Sequence, residues 1–297
     1  MAAVIHCERL TKRYGAVDAL HELDLDVHDG EVLGFLGPNG AGKTTTIRLL
    51  LGLIRPTAGR AELFGLHAER DAVEIHKRVA FVPGEAAMWP TLTGEEILHL
   101  LANVHGSVDE PYRRELIDRF DFDPTKKARA YSKGNRQKIV LIAAFASRAD
   151  LLIMDEPTIG LDPLMEQEFR AAMRDAKDRG QTVFLSSHIL SEVEAVADRV
   201  AILRAGRLVE SGSIDELRIA SAVTVEIKFS GRPPALAKVK GVRDVSVDGK
   251  SVRCQIAGPI QPLLDALDGH QVVSMFSREP SLEELFLAHY GREPAQS

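Results

Sequence analysis

The sequence predicts an α/β fold with a largely parallel sheet, antiparallel strands at its N-terminal side and a helical subdomain, followed by a small α+β domain. Three observations carry this expectation. The nearly continuous apolar runs EVLGFLG (31–37), ADLLIMDEP (149–157) and TVFLSSH (182–188) read as strands covered on both faces. Each precedes a stretch of helical character: KTTTIRLLLGL, PLMEQEFRAAMRDAKDRG and ILSEVEAVADRV. Buried strands alternating with helices imply a parallel sheet. After residue 218 the rhythm changes, which gives expected domains at 1–218 and 219–297.

Taken in order, residues 4–10 and 20–27 alternate apolar with polar side chains, as half-exposed antiparallel strands do. Residues 85–150 have helical character, with turn signals at GSVDEP and FDPT, and form the expected helical subdomain. Gly180 closes the helix that begins near Pro163. VAILRAGRLVESG reads as a hairpin around Ala205-Gly206. Beyond residue 218, VTVEIKF is a strand, PPALAKV a short helix or loop, and VRDVSVDGKSVRCQIAG a hairpin on Asp248-Gly249. QPLLDALDG is a helix, QVVSMF a strand, and SLEELFLAHYG a last helix capped by Ser281. The β-α-β-β-α-β order suggests a ferredoxin-like unit.

Composition narrows the function classes. A net charge of −6, with no lysine- or arginine-rich tract, argues against a nucleic-acid binder working by bulk electrostatics. Nine basic and nine acidic residues fall from position 219 onward, so the charge belongs to the first domain. Cys7 and Cys254 are far apart and lack CxxC spacing, which argues against a disulfide framework or a zinc site. The longest apolar run, IVLIAAFA (139–146), falls well short of the about 20 residues of a membrane span. MAAVIHCERLTKRYG lacks the apolar core of a signal peptide. The expectation is a soluble, cytoplasmic chain whose membrane role, if any, comes through a partner.

Gly37-Pro38-Asn39-Gly40-Ala41-Gly42-Lys43-Thr44 fits G-x-x-x-x-G-K-[ST] between an apolar strand and a helix. Glycines are needed where backbone N–H groups must close around phosphate oxygens. The helix N-terminus adds unpaired donors and a favourable dipole. Lys43 is expected to bridge the β- and γ-phosphates, and Thr44 to place its hydroxyl on Mg²⁺. A nucleotidase of this kind needs a second metal anchor on a neighbouring strand. Asp155 supplies it, at the carboxyl end of LLIMD, the edge where open α/β sheets bind ligands. Glu156 follows, with its side chain expected to turn to the opposite face, and could polarise a water in line with the γ-phosphate. His188 ends the apolar strand TVFLSSH, where an imidazole could reach the same phosphate.

Together, Tyr14 in KRYG, GPNGAGKTT, YSKGNRQK, LLIMDEP, IGLDP and LSSH resemble the ATP-binding cassette family in content and order, over about residues 3–215. The resemblance implies a P-loop NTPase fold, ATP and Mg²⁺ as cofactors, and nucleotide contacts along Gly37, Pro38, Asn39, Gly40, Ala41, Gly42, Lys43, Thr44 and Thr45. It implies Thr44 and Asp155 as metal anchors and Glu156 and His188 as catalytic residues. Tyr14 would stack on adenine. YSKGNRQK looks like the family's signature motif, so Ser132 and Gly134 would contact the γ-phosphate held by the other subunit of a homodimer. Lys133 and Asn135 stand there where glycine and glutamine are commoner. Asp162 would sit at the dimer interface. One departure concerns the glutamine usual after GYLP: RVAFVPGE puts Gly84 there and Glu85 one residue later.

The C-terminal domain, ending PSLEELFLAHYG, resembles the tails of cassette ATPases from drug- and antibiotic-exporting systems. The implied role is the ATPase subunit of an exporter at the cytoplasmic face of the cell membrane, working with a separate integral membrane permease. A soluble cassette acting on ribosomes or DNA fits less well, since the chain has one cassette, no heptads and no basic face. A nucleotide-binding regulator without turnover is disfavoured by Lys43, Asp155, Glu156 and His188 occurring together.

Overall fold

A computed structural model describes residues 3–106, 108–219 and 223–278. The chain divides into two compact units, Met1–Gly212 and Ser213–Ser297. In the first, β1 (Ala3–Tyr14) and β2 (Val17–His28) form a long antiparallel pair, with Ile5 opposite Val27 and Tyr14 opposite Val17. After β3 (Val32–Leu36) and α1 (Lys43–Leu50), β4 (Ala58–Leu63) joins β1 and β5 (Leu66–His67) joins β4, giving the order β2-β1-β4-β5. The alternation in residues 4–10 and 20–27 matches this sheet. Leu10, Leu20, Leu23 and Val27 are fully buried, while their neighbours face outward.

The second sheet contains the three apolar runs. α2 (Ala72–His76) leads to β6 (Val79–Val82), and β7 (Leu151–Asp155), β8 (Thr182–Ser187), β9 (Arg199–Arg204) and β10 (Arg207–Ser213) complete the order β10-β9-β3-β8-β7-β6. The β9-β3-β8-β7-β6 pairs are parallel. Every residue of β3, β7 and β8 is buried, which is why their sequences do not alternate. Phe35 and Phe184 stack at 5.0 Å in this core. Phe184→Ala is expected to destabilise the fold by about 3–5 kcal/mol, read as a lowered denaturant midpoint with an unchanged slope.

The helical region starts later than expected. Residues 85–93 form no helix; α3 (Gly94–His105) begins after a Thr93/Glu96 capping box. α4 (Glu110–Arg119) starts from the Asp109 cap and α5 (Lys133–Ala146) from Ser132, whose hydroxyl accepts from Asn135 N at 3.2 Å. α6 (Pro163–Asp178) is closed by Gly180 (φ 75°). The stretch ILSEVEAVADRV is helical only over α7 (Leu190–Glu194); Arg199 and Val200 already belong to β9, since strand burial overrides their helical neighbourhood. Ala205 and Gly206, both at positive φ, make the tight turn between β9 and β10.

The second unit begins with α8 (Ile214–Ile219). β11 (Val223–Phe229), β12 (Val242–Asp248), β13 (Ser251–Ile256) and β14 (Val272–Arg278) form an antiparallel sheet in the order β12-β13-β11-β14. A 3₁₀ turn at Leu236–Lys238 and α9 (Gln261–Leu267) complete the ferredoxin-like order, the first helix reduced to a single turn. The core is Val225, Ile227, Phe229, Leu236, Val252, Cys254, Ile256 and Leu263. The expected last helix with its Ser281 cap lies outside the described residues. Among the described residues no helix is long and apolar enough to cross a membrane. Both cysteines are free and buried; burial, aided by Asp26 and Asp24, pushes the Cys7 thiol up to about 12, so it stays protonated.

Candidate active site

Parallel register sets the site. Leu36 lies level with Ser187, and Asp155 with Ser186, so β3, β7 and β8 end along one edge. The loop 37–42 leaves β3 at that edge. Two of its glycines are dictated by neighbouring backbone. A Cβ on Gly37 would stand 2.5 Å from Leu203 O, and one on Gly42, at φ 111°, 2.5 Å from Ala19 O. Gly40 (φ 81°) faces open space. Ala41 is buried, and its carbonyl accepts from Gly206 N, which joins the loop to the β9–β10 turn. His21 N in turn donates to Gly206 O, so β2 flanks the loop from the other side.

Lys43, only 5% exposed, curls into the loop it follows: Nζ donates to Gly37 O at 2.6 Å and Pro38 O at 3.3 Å. The same Nζ lies 3.1 Å from Glu156 Oε1. The Glu156 Oε2 atom lies 3.1 Å from His188 Nδ1. Thr44 Oγ1 donates to Asp155 Oδ2 at 2.9 Å, and Ser186 Oγ donates to Asp155 Oδ1 at 2.7 Å. The structure therefore brings Lys43, Thr44, Asp155, Glu156 and His188 into one cluster. Thr46 Oγ1 bonds back to Gly42 O, which satisfies a β-branched side chain in the first turn of α1.

The orientation expected for Glu156 needs correction. Strand alternation would send it away from Asp155. Instead Glu156 adopts φ 48°, a left-handed conformation uncommon for a residue with a Cβ. Its amide is held by Ser186 O at 3.1 Å and Ser186 Oγ at 3.2 Å. Both carboxylates consequently line one cleft of roughly 440 Å³ with Thr44, Pro83, Gly84, Glu85 and Lys133. Ser186 was not singled out from sequence; its signal is a polar residue ending an otherwise apolar strand.

Gly84 approaches Asp155 closely: a Cβ there would lie 3.0 Å from Asp155 O. A glutamine at this position would crowd that carbonyl. Glu85 is highly exposed and reaches Lys133, with Oε1 3.5 Å from Nζ. Buried Gln137 donates to Pro83 O at 3.1 Å and anchors the same loop to α5.

Ser132 and Gly134 stand at the start of α5. Among the described residues no hydrogen bond joins either to the phosphate loop; Ser132 caps its own helix. Gly134 packs on the backbone after β7, where a Cβ would stand 2.5 Å from Gly160 O. Asp162 caps α6, accepting from Leu164 N at 3.0 Å and Met165 N at 3.1 Å. Tyr14 ends β1 and is 47% exposed, and Lys12 Nζ lies 5.0 Å from the ring centre. Pro38, Asn39 and Thr45 complete the loop and the first turn after it.

The arrangement can hold a chain of phosphates, anchor a hard cation and activate water, and comparison with known proteins agrees. A family model described as ABC transporter matches residues 20–159. The chain is 35% identical over 293 residues to the daunorubicin resistance ATP-binding protein DrrA3 of Streptomyces coeruleorubidus, covering 93% of this chain and 92% of that one. It is 34% identical over 305 residues to the bacitracin transport ATP-binding protein BcrA of Bacillus licheniformis, covering 98% of each. A solved ATP-binding subunit of an ABC transporter superposes with a TM-score of 0.68 at 31% identity, over 72% of this chain and 92% of that one. The chain is thus a nucleotide-binding ATPase, and it belongs to the ATP-binding subunits of the ABC transporter family.

Proposed function

We propose that this ATPase works at the cytoplasmic face of a membrane as the motor of an exporter for drug- or antibiotic-like compounds. Its cargo would cross through a separate permease. The observation that carries the site's chemistry is the Lys43–Glu156–His188 chain beside the Thr44–Asp155 pair. The cargo class rests on the relatives named for daunorubicin resistance and bacitracin transport.

A hydroxyl and a carboxylate oxygen 2.9 Å apart are hard ligands of the kind Mg²⁺ takes. Phosphate oxygens and water would complete such a site. Thr44 and Asp155 would hold the ion, which neutralises phosphate charge when bound. Lys43 and the N–H groups of the loop residues other than Pro38 hold the β- and γ-phosphates. Glu156 takes a proton from the attacking water as its oxygen bonds to the γ-phosphorus and the bond to the β-phosphate oxygen breaks, leaving ADP and phosphate. His188 holds Glu156 from the other side. Tyr14 keeps enough of its ring free to stack on adenine.

Ser132 and Gly134, at the start of α5 and, among the described residues, without a hydrogen bond to this chain's phosphate loop, suit a second nucleotide supplied by another copy of this chain. Asp162 would lie at that interface. Closure on ATP and release on products would move the permease, because each nucleotide state favours a different arrangement. Trp89, half-exposed in the segment before α3, provides an anchor for that contact. The test is to express tagged Glu156→Gln in the native host and identify what co-purifies with Mg-ATP present. Recovery in membranes with one polytopic protein is expected. Recovery with ribosomes or nucleoid instead would overturn the proposal.

A further inference from the structure

Glu192 is a carboxyl beside the site that the reading above leaves without a role. It lies on α7 and is 7% exposed. Its Oε2 accepts hydrogen bonds from Thr158 Oγ1 at 2.8 Å and Ser187 Oγ at 3.3 Å. Both donors are buried. Thr158 stands two residues after Glu156, in the turn where Ile159 N donates to Glu156 O at 3.3 Å and Leu161 N to Thr158 O at 3.0 Å. That turn leads directly to Asp162. Ser187 immediately precedes His188; its Oγ accepts from Ile189 N at 2.9 Å, and its single proton faces two acceptors at 3.3 Å, Glu192 Oε2 and Ile189 O. One carboxyl oxygen therefore joins the segment carrying the base to the segment carrying the histidine.

The placement of α7 is itself fixed by packing. Gly34, in the middle of β3, has no room for a Cβ: the nearest Val193 methyl would stand 2.1 Å away. Glycine thus lets α7 sit down on the sheet and carries Glu192 inward. Burying a carboxyl costs more than burying an apolar side chain of similar size. Burial raises its proton affinity; the Thr158 hydroxyl opposes that, Glu166 adds to it, and Ser187 and His188 oppose it. A packing role alone does not require this chemistry, whereas linking two loops through their hydroxyls does.

We propose that Glu192 is a positioning residue for hydrolysis: by holding Thr158 and Ser187 on one oxygen, it keeps Glu156 and His188 in register and ties that pair to the turn before Asp162. This rests on the reading that Glu156 and His188 act at the γ-phosphate.

The test compares steady-state ATP hydrolysis by the purified full chain and its Glu192→Ala, Glu192→Gln, Thr158→Val and Glu156→Gln variants. Glu192→Ala is expected to lower kcat about thirtyfold with KM within about twofold. Glu192→Gln keeps a carbonyl acceptor for Thr158 and should recover to within about threefold of the parent. The Thr158→Val/Glu192→Ala double variant should be no slower than Glu192→Ala alone, because the two act as one unit. An unchanged kcat in folded Glu192→Ala, a rise in KM alone, or effects that multiply would each overturn the proposal. If Glu192→Ala does not fold, Thr158→Val decides: a kcat about tenfold down supports the link, and one within about twofold of the parent overturns it. Glu156→Gln separates the two levels. Turnover surviving that change sinks the underlying reading; turnover lost there but parental in folded Glu192→Ala and Thr158→Val sinks the positioning role alone.

Discussion

Glu156→Gln is expected to lower ATP turnover about a thousandfold while leaving ATP bound, within the 10²–10⁴ range that a positioned base contributes. The substitution keeps the shape, the backbone and one carbonyl acceptor for Lys43 Nζ, which now lies 3.1 Å from the carboxylate. What it removes is the group that takes the proton. The local geometry should survive, because the strained φ of 48° is fixed through the backbone amide, bonded to Ser186 O and Oγ, and not through the side chain. Phosphate release in steady state measures the loss, and nucleotide retained after rapid desalting measures binding. Turnover within about tenfold of the parent would remove Glu156 from the role.

Lys43→Ala is expected to weaken ATP binding by at least about tenfold, since a hydrogen bond from a charged group contributes about 1.5–3 kcal/mol. The ammonium is nearly buried and points into the loop, so no surface cation can replace it. Its loss also strands Glu156 beside His188 without its second partner. Arginine is not a conservative replacement, because a planar fork does not fit where a point charge donates to Gly37 O at 2.6 Å. Calorimetric titration with Mg-ATP reads the affinity, and an affinity equal to the parent's would contradict the assignment.

The sequence was most legible where burial is two-sided. β3, β7 and β8 lie where unbroken apolar runs placed them; the loop glycines, Lys43 and Thr44 follow from the G-x-x-x-x-G-K-[ST] spacing between strand and helix, and Asp155 from its place at the end of an apolar strand. The structure shows the caps at Asp162 and Ser132, whose side chains accept from amides in the first turn of their helices. Three features were not legible. The left-handed Glu156 defeats a period-2 reading, because one positive φ reverses a side chain. The end of ILSEVEAVADRV was drawn into a helix, although Val200 is buried against β3 as strand. Glu192, Thr158 and Ser187 meet across 34 positions of chain, and no spacing rule reports a shared oxygen. Gly84 was legible only as a departure; its closeness to the Asp155 carbonyl supplies the reason.

The account's central claim is that ATP completes its site between two copies, with Lys43 of one facing Ser132 and Gly134 of the other. The direct measurement is the mass of Glu156→Gln by light scattering across a sizing column, with Mg-ATP and with Mg-ADP. The expected result is a species of twice the 32.5 kDa chain mass with ATP and a single chain with ADP. Adding Ser132→Arg should abolish the dimer while ATP binding persists. A single chain that binds ATP at every concentration tested, or a dimer indifferent to Ser132→Arg, would contradict it.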